Sequence, residues 1–144
     1  MVTRRNFLAT AAAAASLPFA VGTKAWAAGK LSAADAHKQA LDGELLLVDI
    51  RTHGEWKQTG LGATAQAISM HKPGFVDKLV EAAGQDKSKK IGLICATGGR
   101  SRWLQGQLAK FGFTNVVDVS EGMLGSAAGQ GWLKAGLPVK PYAN

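Results

Sequence analysis

The stretch that decides the fold is residues 90–112, which read KIGLICATGGRSRWLQGQLAKFG. Its first six residues form an apolar run of the length of a buried strand, and that strand ends at Cys95. Four large apolar residues then recur at helical spacing: Trp103, Leu104, Leu108 and Phe111. This spacing predicts a helix that packs one apolar face and is closed by Gly112. Between strand and helix lies a short loop of small residues that ends in arginine.

The same alternation of strand and helix runs outward along the chain in both directions. Predicted strands cover 44–50, 90–95 and 115–119, with a short one within 65–70. Predicted helices begin at Ser32, Thr52, Pro73 and Ser101, and a weaker one covers about 123–134. Alternating strands and helices predict an α/β fold, with a central, mostly parallel sheet flanked by helices on both faces.

The first 27 residues, MVTRRNFLATAAAAASLPFAVGTKAWA, have the pattern of a cleavable export signal. Arg4 and Arg5 precede an alanine-rich run, and the small-x-small residues 25–27 suit a cleavage site. The arginine pair resembles the twin-arginine signal for export of folded proteins. An uncleaved membrane anchor is disfavoured, because proline, glycine and lysine interrupt the run. We therefore expect a signal peptide at 1–27, a single domain at 28–144, a periplasmic or otherwise exported location, and no membrane span after cleavage.

The charge pattern argues against nucleic acid as a partner. The chain has 17 Lys and Arg against 10 Asp and Glu, a formal net charge of +7. Three of the basic residues lie in the predicted signal, and the remaining lysines are scattered apart from a small run at 87–90. No basic stripe interleaved with aromatic residues is present in the sequence.

The single cysteine, Cys95, draws attention because an exported thiol is exposed to oxidation. Such a protein has either buried its thiol or uses it. The residues that follow favour use, since a core cysteine does not need Gly-Gly-Arg after it. A buried structural thiol remains the alternative.

The loop after Cys95 has the composition of an anion-binding nest. Its small and hydroxyl residues are Ala96, Thr97, Gly98, Gly99 and Ser101. The glycines permit positive φ angles, so backbone N–H groups can turn towards the sulfur, helped by the N-terminus of the following helix. Such a nest favours a thiolate and stabilises a negative group attached to it. Arg100 adds a permanent positive charge and a bidentate donor.

Two kinds of cysteine enzyme have loops like this one. Cysteine phosphatases, including the dual-specificity cell-cycle phosphatases, use Cys-x5-Arg, whereas here the spacing is Cys95-x4-Arg100. The shorter loop resembles that of rhodanese-type sulfurtransferases, Cys-x-x-Gly-x-Arg-Ser. In that family the tighter loop holds a persulfide, while the longer phosphatase loop holds a tetrahedral phosphate.

The resemblance to the rhodanese family extends over roughly residues 31–140. Residues 48–52, VDIRT, with Glu55-Trp56 resemble its Asp-x-Arg…Glu-Trp motif, and Trp132 with GLPV at 136–139 resembles its ending. Two segments depart from the family pattern. The QTGLGA at 58–63 lacks a His and a Pro that are common there, and Glu121-Gly122 stands where Gly-Gly is frequent.

The resemblance implies a rhodanese-like fold and a sulfurtransferase activity. Cys95 would take a sulfur from a small anionic donor, such as thiosulfate or a persulfide, and pass it to a thiol or cyanide-like acceptor. The loop amides and Arg100 would hold the persulfide. Asp49 would position loop amides or pair with Arg51, and Arg51 would help to attract the donor. No cofactor or metal is needed, and the three histidines lie on different predicted elements.

Two other functions stay open. The chain is alternatively a sulfur-carrier module with little free turnover, which passes sulfur to a protein partner docked near Met123 and the 58–63 turn. Less favoured, because of the loop length, is a cysteine enzyme of the arsenate reductase or phosphatase type.

Overall fold

Five parallel strands form the central sheet in the computed structural model, which describes residues 29–143. The predicted signal peptide lies outside the described residues. The strands of this sheet are β1 (Gly29–Leu31), β2 (Leu46–Asp49), β4 (Gln66–Ala67), β5 (Ile91–Ile94) and β6 (Val116–Val119). The helices are α1 (Ala33–Leu41), α2 (His53–Thr59), α3 (Phe75–Ala82), α4 (Gly99–Lys110) and α5 (Gly131–Lys134). Two short strands, β3 (Leu61–Gly62) and β7 (Val139–Lys140), pair antiparallel in a separate sheet.

The order of strands in the central sheet is β1-β6-β5-β2-β4. The middle strand β5 and its neighbour β2 are buried at every residue, as expected for strands covered on both faces. Cys95 follows β5 directly, so the loop after it leaves from the carboxyl end of the central strand. In open α/β sheets this edge is where ligands bind.

Helices cover both faces of the sheet, as the sequence predicts. On one face, Leu79 of α3 and Leu108 of α4 pack against Leu93 of β5. On the other, Ala36 of α1 and Trp132 of α5 belong to the cluster that contains Leu47 of β2. The predicted α/β class, parallel sheet and two-sided covering are confirmed.

Several element boundaries differ from the sequence prediction. Pro73 does not begin α3; Gly74 caps it with a φ of +76°, and the helix starts at Phe75. The helix predicted over 123–134 shrinks to α5 at its end, because residues before it form turns around Gly125 and Gly129. Within residues 29–143 no helix is both long and apolar enough to cross a membrane.

Candidate active site

Cys95 lies at the bottom of the loop, with only 1% of its surface exposed. The backbone N–H of Gly98 donates to its sulfur at 3.1 Å. The hydroxyl of Ser101 lies 3.4 Å from the same atom. The predicted nest is therefore formed in part: one loop amide and one hydroxyl, both close to the N-terminus of α4, contact Sγ.

The loop is held in place by the segment that follows β6. Gly98 has a φ of +85°, and a Cβ there would overlap the carbonyl oxygen of Ser120. Gly122 has a φ of +69°, and its Cβ would overlap the carbonyl of Ala96. The N–H of Met123 donates to the carbonyl of Cys95 at 2.8 Å. Only glycine fits at 98 and 122, which is the structural reason for Gly98 in the loop and for Gly122 after Glu121.

Arg100 is bound by Glu55 rather than by the cysteine. Its Nη2 donates to Glu55 Oε1 at 2.6 Å and its Nη1 to Oε2 at 2.9 Å. Nη1 also lies 3.2 Å from Nε2 of His71. The hydrogen bonds from Arg100, followed by those from Thr52, lower the pKa of Glu55 to about 2 although partial burial opposes them. Glu55 in turn raises the pKa of Arg100, so both groups are charged across the physiological range.

Asp49 and Arg51 form a buried pair, with 0% and 1% of their surfaces exposed. Arg51 Nη2 donates to Asp49 Oδ2 at 2.8 Å, and Nε donates to both carboxylate oxygens. The remaining donors of Arg51 reach Thr59 Oγ1 and the carbonyl of Gly60. Of the two roles predicted for Asp49, the structure places it in the pairing with Arg51. The 58–63 turn covers the guanidinium of Arg51, which is 1% exposed, and its role in attracting a donor stays a prediction.

A second buried carboxylate, which the sequence analysis did not single out, lies beneath the loop. Asp118 of β6 is 1% exposed, and its Oδ1 is 2.6 Å from the hydroxyl of Ser101. The alternation of side chains along β6 could have predicted this position, because it places Asp118 on the face of the sheet that α4 covers. Glu55 was recognised as part of the Glu-Trp motif but not as the partner of Arg100, and it also completes the capping box of α2.

The remaining predicted site residues divide by exposure. Ala96 is half-buried, whereas Thr97 and Gly99 are exposed at the outer side of the loop. Met123 was predicted to form part of a docking surface. That prediction is wrong, because Met123 is fully buried in the cluster that contains Trp132. Among residues 29–143 no group of three His, Cys, Asp or Glu side chains is arranged to hold a metal ion.

Comparison with known proteins agrees with this geometry. The rhodanese-like domain family matches residues 32–128, which is more than half of the chain. An uncharacterized protein of Rickettsia prowazekii is 28% identical over 105 residues, covering 68% of this chain and 85% of that protein. The tRNA uridine(34) hydroxylase of Sodalis glossinidius is 33% identical over 113 residues, which are 76% of this chain but 31% of the hydroxylase.

A solved structure shares the fold. The polysulfide-sulfur transferase homodimer of Wolinella succinogenes superposes with a TM-score of 0.57 and 24% identity, covering 81% of this chain and 80% of that chain. Its fold, with the parallel sheet and flanking helices, is the one described above.

Proposed function

The chain belongs to the rhodanese-like domain family, and from this premise we propose that it is a sulfurtransferase that carries sulfur as a persulfide on Cys95. The observation that carries the proposal is the contact between Sγ of Cys95 and the N–H of Gly98 at the start of α4. An N–H donor and a helix N-terminus both favour negative charge on sulfur. The sulfur transfer named for the Wolinella succinogenes protein of the same fold supports the choice.

The proposed reaction has two displacement steps. The Cys95 thiolate attacks the outer sulfur of thiosulfate, the S–S bond of the donor breaks, and sulfite leaves with the bonding electron pair. A thiolate or cyanide then attacks the outer sulfur of the Cys95 persulfide, and the Cys95 thiolate is regenerated. An organic persulfide serves in the first step in the same way, with a thiolate as leaving group. No net oxidation of the protein occurs, and ping-pong kinetics follow from the covalent intermediate.

Arg100 contributes positive charge at the loop. Its guanidinium is already engaged by Glu55, so it attracts an anionic donor by its field rather than by a free bidentate fork. Because Cys95 is 1% exposed, the donor reaches the sulfur only when the loop or its neighbours move.

Intact mass spectrometry tests the proposal. After incubation with thiosulfate, we expect a gain of about 32 Da, one sulfur atom, that cyanide or a thiol removes. The Cys95→Ser protein is the matched control and should gain nothing. The absence of any adduct with thiosulfate and with an organic persulfide, in protein whose Cys95 is titratable, would refute sulfur transfer.

A sulfur-carrier module is the second candidate, and an exposed aromatic surface favours it. Trp103 of α4 and Phe111, which directly follows α4, are 58% and 53% exposed, and they border a cavity that Met70 and Phe75 also line. Because Trp103 lies three residues after Arg100, a protein that accepts sulfur from the loop would also contact this surface. A carrier would form the persulfide but release sulfur to small thiols slowly, and a protein acceptor would accelerate release. Equal release with and without a protein acceptor would favour the enzyme.

A phosphatase or arsenate reductase function is the weakest candidate. It is disfavoured by the loop length and by the engagement of Arg100 with Glu55. Release of phosphate from an aryl phosphate by the wild-type protein, but not by Cys95→Ser, would reverse this order.

We also propose that the protein acts after export, on the basis of residues 1–27 alone. Its partners would then be a small anionic sulfur donor and a thiol-type or protein acceptor in that compartment, without nucleic acid.

A further inference from the structure

Asp118 is a buried carboxyl that the sulfur-transfer chemistry described above does not use. It pairs in register with Leu93 of β5 and Lys30 of β1, and its side chain faces α4. Burial is the largest influence on its pKa and raises it, while hydrogen bonding from Ser101 and the charges of Lys30 and Arg102 partly oppose this. A carboxyl in this position is poised to hold a proton more readily than one in water.

The Ser101 hydroxyl connects this carboxyl to the candidate nucleophile. It lies 2.6 Å from Asp118 Oδ1, 3.2 Å from the carbonyl of Gly98 and 3.4 Å from Cys95 Sγ. A hydroxyl has one proton to donate and can accept others. If Ser101 donates to Asp118, it accepts from the Cys95 thiol; if Asp118 is protonated, Ser101 is free to donate to a Cys95 thiolate.

We propose that Asp118 takes up the thiol proton of Cys95 through the Ser101 hydroxyl. The Cys95 proton moves to Ser101 Oγ while the Ser101 proton moves to Asp118 Oδ1. The products are a thiolate, a hydroxyl and a carboxylic acid. One negative charge passes from oxygen to sulfur, and no bond other than S–H and O–H is made or broken. Asp118 is then a positioning residue, since it acts on the sulfur through Ser101.

The surroundings suit this transfer. The charged or titratable groups that face Asp118 are Lys30 from β1, Arg102 from α4 and, through Ser101, Cys95. Asp118 also lines a cavity of about 490 Å³ beside Lys30 and Arg102. The carboxyl therefore exchanges its proton with solvent through this cavity, although the thiol itself is buried.

The test is the pH dependence of Cys95 alkylation by iodoacetamide, a neutral reagent that reads the thiolate alone. In the wild type the proposal predicts a two-step profile, because a thiol and a carboxyl that share a proton lose their protons in two coupled steps. In Asp118→Asn we expect one step with its midpoint about one pH unit lower, so alkylation below the midpoint is about tenfold faster. A merely structural role for Asp118 would lower the melting temperature and leave the midpoint in place.

Through-space repulsion between Asp118 and the sulfur would also shift the midpoint of alkylation. The Asp118→Asn substitution is therefore repeated in a protein that also carries Ser101→Ala. Transfer through the hydroxyl predicts that Asp118→Asn then changes the rate less than about twofold. An undiminished shift in that background, or an unmoved midpoint in Asp118→Asn, would overturn the proposal. If Asp118→Asn does not fold, Ser101→Ala alone decides: its profile should have one step, and a two-step profile would overturn the proposal.

This inference rests on the proposed function for its purpose, which is to keep the displaced thiol proton within the site while Cys95 is a thiolate. The two fail separately, because alkylation requires no sulfur donor. If the protein gains no sulfur but shows the two-step alkylation profile, proton transfer to Asp118 is supported and the sulfurtransferase function is refuted.

Discussion

Two adjacent glycines of the loop differ in what an added methyl group would meet. At Gly98, φ is +85° and a Cβ would overlap the Ser120 carbonyl; at Gly99, nothing lies within 4 Å of the Cβ position. We expect Gly98→Ala to lower the free energy of unfolding by about 1–3 kcal/mol and to impair persulfide formation, because the Gly98 N–H shifts from the sulfur. Urea denaturation and intact mass after thiosulfate measure the two effects.

Gly99→Ala is the matched control, since Gly99 is exposed and begins α4. It should leave stability unchanged or raise it by up to about 1 kcal/mol, with persulfide formation intact. Equal losses in the two variants would contradict the role assigned to Gly98.

The ion pair between Glu55 and Arg100 makes stability depend on pH. The pKa of Glu55 is lowered from 4.5 to about 2 in the folded protein, so its contribution is present above about pH 4.5 and is lost as the pH falls towards 2. Glu55→Gln keeps an acceptor for the α2 capping box but removes the charge. We therefore expect Glu55→Gln to be less stable than wild type at pH 6, with the difference shrinking towards pH 2. Urea denaturation at several pH values measures it.

Glu44→Gln serves as the comparison, because Glu44 is an exposed acid. Its difference from wild type should stay small at every pH. A Glu55→Gln difference that is constant from pH 6 to pH 2 would show that the ion pair does not stabilise the fold.

At the residue scale, the sequence predicted the site residues that are adjacent along the chain. It did not predict the contacts between residues that are distant in sequence. The loop residues from Cys95 to Ser101 were identified because they are consecutive. Glu55 lies 45 residues from Arg100, and Asp118 lies 17 residues from Ser101. Each of these contacts depends on which strands are neighbours in the sheet, and no local pattern encodes that.

At the scale of elements, α4 shows which apolar residues hold the helix on the sheet. Leu104 and Leu108 are buried, whereas Trp103 and Phe111, predicted on the same face, are more than half exposed. The prediction was wrong for Phe111 because α4 ends at Lys110, and for Trp103 because it lies at the edge of the apolar face, far around the helix from Leu108. We expect Leu108→Ala to cost about 2–5 kcal/mol of unfolding free energy, since it leaves a cavity.

Trp103→Ala is the control on the same helix and should change stability by only about 0.5 kcal/mol. Urea denaturation of both variants is the measurement. A loss at Trp103 equal to that at Leu108 would mean that the tryptophan packs in solution.

The element predictions succeeded where a periodic apolar pattern was long. The runs that became β2, β5 and β6 were found, as were α1, α3 and α4. β1 was missed because Gly-Lys-Leu at 29–31 has no apolar run and is only half-buried. The two-residue strands β3 and β7 pair with each other across the chain, and too few residues define them for a pattern to appear.

At the scale of the whole molecule, the export proposal makes a prediction about processing. If residues 1–27 are a twin-arginine signal, changing Arg4 and Arg5 together to Lys should leave the precursor uncleaved in the cytoplasm. Mass spectrometry of the exported wild-type protein should give a chain that begins at Ala28. Unchanged export of the double variant would indicate another route, and full-length exported protein would indicate that no cleavage occurs.

The strand order has a consequence for how the chain folds during its synthesis on the ribosome. Of the strands in residues 29–143, β1 comes first along the chain, and within these residues its only partner in the central sheet is β6, with Lys30 beside Asp118. Until β6 has left the ribosome, β1 has no strand to pair with, although α1, β2 and α2 have already been synthesised. Pairings so distant in sequence form slowly, since the intervening chain must first be ordered. The edge strand β1 therefore joins the central sheet late, although it is synthesised before the other strands of that sheet.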